Sequence, residues 1–260
     1  NICSHCNAEF KIEKLLQYAE KFSCDFVATG HYAQKNGSLI GIAKDSWKDQ
    51  SFMLYRLSEK QREKLLLPLG QKMKDEVKNF VQQCGYEEIA NKRESFGLCF
   101  TNGKHYSEFL LEKYPELKKL ENGKVFNKNN QVIGTHKGYP FYTIGQYKGL
   151  NCEGKQYINK IIAEENAIFV GEKSECYFST LRLNSLVFSQ NIENIKKDTP
   201  YLTKIRGKDE GNFATLREIS SNHSIIEFSQ RVFAPMQGQD VVVYDENNFI
   251  LFGGRIEAFS

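Results

Sequence analysis

The chain has 260 residues, 40% apolar and 26% charged, a globular mix sized for two or three domains; this excludes a disulfide-stapled mini-domain, a collagen-like repeat and a disordered chain. The net charge is only +3, but its distribution is uneven: residues 1–103 carry 15 basic and 13 acidic side chains, residues 104–163 carry 10 and 5, and residues 164–260 carry 10 and 14. The middle segment is therefore the electropositive one, as expected of a segment that meets phosphate. The longest apolar runs, such as Leu65-Leu66-Leu67 and Val241-Val242-Val243, fall well short of the ~20 residues of a membrane helix, and no signal peptide precedes them. A soluble, cytoplasmic protein with no membrane partner is expected.

The chain begins Asn1-Ile2 and then carries a C-x-x-C pair, Cys3-Ser4-His5-Cys6. Apolar residues at 10, 15, 18, 19 and 22 predict an amphipathic helix from Asn7 to Phe22, with Asn7 as its N-cap. Thiols just ahead of a helix face the positive end of its dipole, which raises the thiolate fraction. Three readings compete. A structural zinc site needs four ligands, and the sequence has neither a second C-x-x-C nor an H-x-x-x-H. A thioredoxin-like centre needs a preceding strand. The third reading is that one of the pair works with a distant cysteine. Seven cysteines are an odd number, thinly spread, so reduced thiols are expected, with Cys24, Cys84, Cys152 and Cys176 as small filler residues.

Asp25 to His31 reads as a short buried strand ending at the Gly30 turn, where parallel α/β sheets place ligand-binding loops. Lys48-Asp49-Gln50-Ser51 clusters polar, long-armed residues before an apolar element, and on pattern alone it equally describes a solvated turn. Helical patterns cover 58–67 and 71–84, separated by Pro68-Leu69-Gly70. Glu94 to Phe100 sets Cys99 just after a glycine, in what could also be a strand with a buried thiol. A helix from His105 to Tyr114 stops at Pro115, and a loop-rich stretch with glycines at 123, 134, 138, 145 and 149 follows. From residue 164 the pattern becomes short alternating strands, Ala167–Val170, Arg182–Phe188, Tyr201–Ile205, Ala214–Ile219, Ser224–Phe228, Val241–Tyr244 and Ile250–Ile256, which predicts a small β-barrel or sandwich. The expected domains are thus residues 1–103 (α/β), 104–163 (a central module) and 164–260 (all-β).

Taken in order, the blocks Cys6-Asn7, Ala28-Thr29-Gly30-His31-Tyr32-Ala33, Lys48-Asp49-Gln50-Ser51, Pro68-Leu69-Gly70, Ser95 to Phe100, Gly134-x-His136-x-Gly138, Thr143-Ile144-Gly145-Gln146, Ala234-Pro235-x-x-Gly238-Gln239 and Gly253-Gly254 resemble the tRNA-specific 2-thiouridylases over nearly the whole chain. The resemblance implies part of an ATP-pyrophosphatase domain of the adenine-nucleotide α-hydrolase type, a small central tRNA-binding module and a C-terminal β-barrel. It implies ATP with Mg2+, the anticodon arm of tRNA and a sulfur-donor protein as ligands and partners, and conversion of the wobble uridine to 2-thiouridine. Residue by residue, it makes Cys99 the carrier of a persulfide and Cys6 its resolving partner, and Gly30 an ATP contact. Asn1, Ile2 and Cys3 fall beside the target base, and Lys48, Asp49, Gln50, Arg206 and Gly207 on tRNA. A transient Cys6–Cys99 disulfide follows from such a pair.

The departures are specific. The Ser-Gly-Gly-x-Asp-Ser phosphate loop does not occur, and a truncated nucleotide domain is the expectation. Asn1-Ile2-Cys3 stands where an Asn-Pro-Asp is usual, Phe96 where a Thr is, Tyr147 where an Arg is, and Gly207 where an aromatic is common. The residue types suit the chemistry: a uracil carbonyl oxygen leaves only once activated, as by adenylation, and a sulfur nucleophile on Cys99 can then attack C2 of a flipped base. Two other classes stay open, a non-catalytic RNA-binding protein and a metal or iron–sulfur protein using Cys3, Cys6 and Cys99.

Overall fold

Ser58 opens its helix with a reciprocal cap: Gln61 N donates to Ser58 Oγ at 3.3 Å and Ser58 N to Gln61 Oε1 at 3.0 Å. Two N–H groups that a helix start leaves unpaired are satisfied at once. The helix, Glu59–Lys64, is shorter than predicted, because Leu65–Leu66 leaves it to pair as a parallel strand with Val27–Ala28. The structure is a computed structural model that describes residues 2–92, 99–101, 103–152 and 154–260, and the chain divides into two units.

The first unit joins Asn1–Lys92 with Ser179–Arg231 and Gln237–Ser260. Its α/β part holds the Val27–Ala28/Leu65–Leu66 pair and the helices Ile12–Lys21, Glu59–Lys64, Lys74–Gln83 and Glu87–Asn91. Its β part is a closed barrel of six strands in the order Tyr177–Phe188, His223–Phe233, Asn212–Ile219, Pro200–Lys204, Asp240–Tyr244 and Ile250–Phe259. One core serves both parts, since Ile12, Val27, Leu54, Tyr55, Leu57 and Leu65 cluster with the barrel's Val242, Tyr244 and Ile250. Each such side chain contributes about 1.5–3 kcal/mol by leaving water. Gly253 explains one half of the Gly253-Gly254 motif: a Cβ there would lie 2.3 Å from Cδ2 of the fully buried Tyr55 ring.

The second unit, Arg93–Phe178 with Val232–Met236, is built on a five-stranded sheet in the order Asn151–Cys152, Val132–His136, Gly123–Phe126, Ala167–Gly171 and Tyr157–Ile162. Val125, Ile158, Ile168 and Val170 form its core with Ile144 and Ala234. The Tyr106–Lys113 helix ends before Pro115, as its sequence predicts, with His105 as its N-cap rather than its first residue. Ala167–Val170 departs from expectation: it pairs with Gly123–Phe126 and Tyr157–Ile162, so the barrel's strands begin at Tyr177. Period-2 alternation marks a strand but not the sheet it joins.

Among the described residues no helix is long and apolar enough to cross a membrane.

Candidate functional site

The N-terminal helix starts earlier than predicted. It runs as Ile2–His5, passes through a π-helical stretch at Cys6–Lys11, where Ile12 N donates to Asn7 O, and continues as Ile12–Lys21. Single π turns of this kind concentrate at functional sites. Asn7 is therefore no N-cap: it is buried, and its Nδ2 donates to Met53 O at 3.1 Å. Cys6 lies a full turn inside the helix rather than ahead of it. The buried stripe differs in part from the predicted one. Leu15 and Ala19 face the core as expected, joined by Ile12 and Leu16, whereas Phe10, Tyr18 and Phe22 are exposed.

The barrel anchors the residues between the two cysteines. Ser4 Oγ donates to the fully buried Asp240 Oδ2 at 2.5 Å, with Arg56 Nη2 3.5 Å from the other carboxylate oxygen. His5 Nε2 lies 3.1 Å from Arg255 Nη2, and its Nδ1 2.6 Å from Glu9 Oε1. Asp240 and Arg255 are cross-strand partners in the barrel. Burial and the Asp240 charge together push the Tyr55 phenol far above its ordinary range. Cys3 and Cys6 are half-buried beside this network and Ile2 is exposed, while Asn1 lies outside the described residues.

Gly30 follows the Val27–Ala28 strand and is exposed. A Cβ built there would meet only Leu69 Cδ1, at 3.8 Å, so the backbone stands open to a close approach and fits one wall of a nucleotide site. The neighbouring His31 is buried, with Nδ1 2.8 Å from Thr29 Oγ1. Burial, helped by the Lys11 charge, lowers its pKa from 6.5 to about 4, which keeps the ring neutral at physiological pH.

Lys48-Asp49-Gln50-Ser51 is not a solvated turn. The Asp49 carboxylate accepts from Ala43 N at 3.0 Å, Ser51 N at 3.1 Å, Ser51 Oγ at 2.9 Å and Lys204 Nζ at 2.8 Å. The side chains of Asp49 and Lys204 are 1% and 5% exposed, so this is a buried ion pair between the turn and the Pro200–Lys204 strand. Gln50 exchanges two bonds with Tyr32, its N donating to Tyr32 O at 2.7 Å and its Oε1 accepting from Tyr32 N at 3.1 Å. Just beyond Lys204, Gly207 packs so closely that an added Cβ would lie 2.3 Å from Met53 Cε. Two blocks more than 150 residues apart, 48–50 and 206–207, are thus held together. Of these residues Lys48 is half-buried and Arg206 exposed, whereas the Asp49 carboxylate is consumed internally and not open to a ligand.

In the second unit Cys99 is exposed, in the 3-10 turn Cys99–Thr101, which removes the buried-thiol reading. Glu94 to Leu98, Phe96 among them, lie outside the described residues. All seven cysteines are free thiols, so the anticipated Cys6–Cys99 disulfide is not formed in this structure. Cys24 and Cys84 are exposed and hence not filler; Cys176 is buried, and burial pushes its thiol up. Among the described residues no three His, Cys, Asp or Glu converge as a metal site. The basic module pairs cations with rings: Lys148 and Lys155 lie 5.7 and 4.9 Å from the Tyr147 ring, itself 5.3 Å from Tyr157. Lys137 lines a cavity of about 260 Å³ with His105, Phe141, Tyr142 and Gln146.

Comparison with known proteins matches residues 1–103 to a family profile described as tRNA methyl transferase HUP domain and residues 107–172 to tRNA methyl transferase PRC-barrel domain. The tRNA-specific 2-thiouridylase MnmA of Cytophaga hutchinsonii is 33% identical over 99% of this chain and 72% of its own length. Those of Halothermothrix orenii and Natranaerobius thermophilus are 35% and 34% identical over 98% of this chain and 72% and 70% of their own lengths. The chain belongs to the tRNA-specific 2-thiouridylase family. Sequence reasoning missed two features of this structure: the Asp240 and Arg255 anchors, and Lys204 as the partner of Asp49. A single charge at the end of an apolar strand, as at 204 and 240, was the signal available for them.

Proposed function

We propose that this protein is a tRNA-uridine 2-sulfurtransferase that uses ATP with Mg2+ and a cysteine persulfide to place sulfur on C2 of the wobble uridine in the anticodon arm. Family membership supports tRNA thiolation, and the observation that carries the reading to individual atoms is the exposed Cys99 thiol, in the same unit as a lysine- and aromatic-rich module. An exposed thiol can take sulfur from a donor protein, as a carrier must and a buried filler cannot. ATP would activate the uracil oxygen as a leaving group, with Gly30 at its wall. Sulfur carried on Cys99 is released by a second thiol, for which Cys6 is the candidate. Ile2 and Cys3 flank the target base, with Asn1 before them. Arg206, Gly207, Lys48 and Gln50 meet tRNA, and Asp49 serves that contact from behind by fixing the turn. The HUP and PRC-barrel matches over residues 1–103 and 107–172 support reading these as the catalytic and central modules, with the barrel as the third.

The test is nucleoside mass spectrometry of unmodified tRNA incubated with the protein, ATP, Mg2+ and a persulfide-carrying donor. 2-Thiouridine at the wobble position is the expected product. tRNA that binds tightly but emerges unmodified would instead make the protein an RNA-binding module.

A further inference from the structure

The chain's single tryptophan, Trp47, is 86% exposed. A large ring in water is unfavourable in the free protein, and the turn that displays it, Ser46–Lys48, is held at both ends. Lys48 N donates to Asp45 O at 3.0 Å, and the buried Asp45 carboxylate accepts from Lys74 N at 2.9 Å. On the other side Asp49 fixes Ala43 and Ser51 and is itself locked by Lys204. The indole is thus presented on a rigid support rather than on a loop free to fold it away.

The solvent-facing charges carry an excess of lysines. Lys44, Lys48, Lys72 and Lys74 lie on this turn and on the segment tied to it, with Lys44 N donating to Gly70 O, and they face two exposed carboxylates there, Asp75 and Glu76. The other two carboxylates, Asp45 and Asp49, are buried, and Asp49 is paired with Lys204; of the exposed ones Glu76 lies 3.5 Å from Lys44. A flat, fixed aromatic face among lysines matches the chemistry of a nucleobase with its phosphate, where the ring stacks and the cations meet the backbone. A protein partner would be served by an apolar patch, whereas here one ring stands among charges.

We infer that Trp47 is a stacking platform for an unpaired base of the bound tRNA, next to the Lys48–Gln50 contact. This inference rests on the proposed tRNA binding and extends it to a residue outside the blocks that carry the family resemblance. One base–aromatic stack is worth about 5- to 150-fold in affinity.

The experiment uses the single tryptophan as its own probe. Tryptophan emission is followed as unmodified tRNA is added, and binding is measured in parallel with end-labelled tRNA for wild type, Trp47→Ala and Trp47→Phe. The expected result is quenching that saturates with binding, about a tenfold loss of affinity in Trp47→Ala with an unchanged salt dependence, and recovery of most of that loss in Trp47→Phe. Unquenched emission together with equal binding of Trp47→Ala overturns the inference while leaving tRNA binding intact. Wild-type protein that fails to bind the labelled tRNA overturns the tRNA reading itself and this inference with it.

Discussion

Replacing Lys204 by Met leaves the Asp49 carboxylate buried with its three N–H and O–H donors but without its counter-charge. At 2.8 Å the pair attracts by about 6 kcal/mol with an effective dielectric of about 20, an attraction that offsets much of the desolvation of both ions. Removing one partner forfeits it while the other stays desolvated, which costs about 3–5 kcal/mol. For a protein of this size that lowers the melting temperature by about 6–20 °C. Asp49→Asn keeps an amide oxygen for the Ala43 and Ser51 donors, so Asp49→Asn with Lys204→Met should lose less than the two single changes added together. Scanning calorimetry and urea unfolding of the four proteins measure this. A Lys204→Met protein that melts within about 2 °C of wild type, or strictly additive losses, would refute the claim that this ion pair joins the turn to the barrel.

Three further outcomes follow from the geometry. Below pH 6.5 the unfolded His31 takes a proton that the folded one, at about 4, refuses; the stability it confers is complete above 6.5 and falls by about 2.5 kcal/mol between pH 7.5 and 4.5. Urea unfolding across that range should therefore fall less steeply in His31→Asn, and identical slopes would contradict the burial argument. Gly253→Ala drives a methyl into the Tyr55 ring and should cost about 1–3 kcal/mol in the same assay, an undiminished transition midpoint showing that the ring can move. Lys137→Ala and Lys148→Ala should each weaken tRNA binding and make log K less steep against log salt, by up to about 0.9 per lost contact on a duplex; unchanged affinity and slope in both would place the binding surface elsewhere.

The barrel was legible because its strands alternate. Helix phase was less so. Of the predicted stripe Leu15 and Ala19 do face the core, but Ile12 and Leu16 complete it in place of Phe10, Tyr18 and Phe22, and only tertiary packing chooses between two stripes of similar strength. The helix starts at Ile2 and runs through a π stretch at Cys6–Lys11, so Cys6 is not at its start, and the sequence carries no marker for the π stretch. The sheet membership of Ala167–Gly171 depends on a parallel pairing with Gly123–Phe126, a contact across more than 40 residues that alternation cannot encode. Lys48-Asp49-Gln50 was legible as a block, whereas the inward turn of Asp49 depended on Lys204, 155 residues away.

The central claim is that Cys99 carries the sulfur that reaches tRNA. The most direct measurement loads the protein with isotopically labelled persulfide sulfur, adds tRNA, ATP and Mg2+ in a single turnover, and follows the label on Cys99 and in tRNA by mass spectrometry, for wild type and Cys99→Ser. The account predicts label on the Cys99 peptide that disappears as 2-thiouridine appears in wild type. In Cys99→Ser it predicts neither signal, with tRNA binding kept within a few-fold because one atom changes little in a phosphate-dominated interface. Labelled 2-thiouridine formed by Cys99→Ser at the wild-type rate would contradict it.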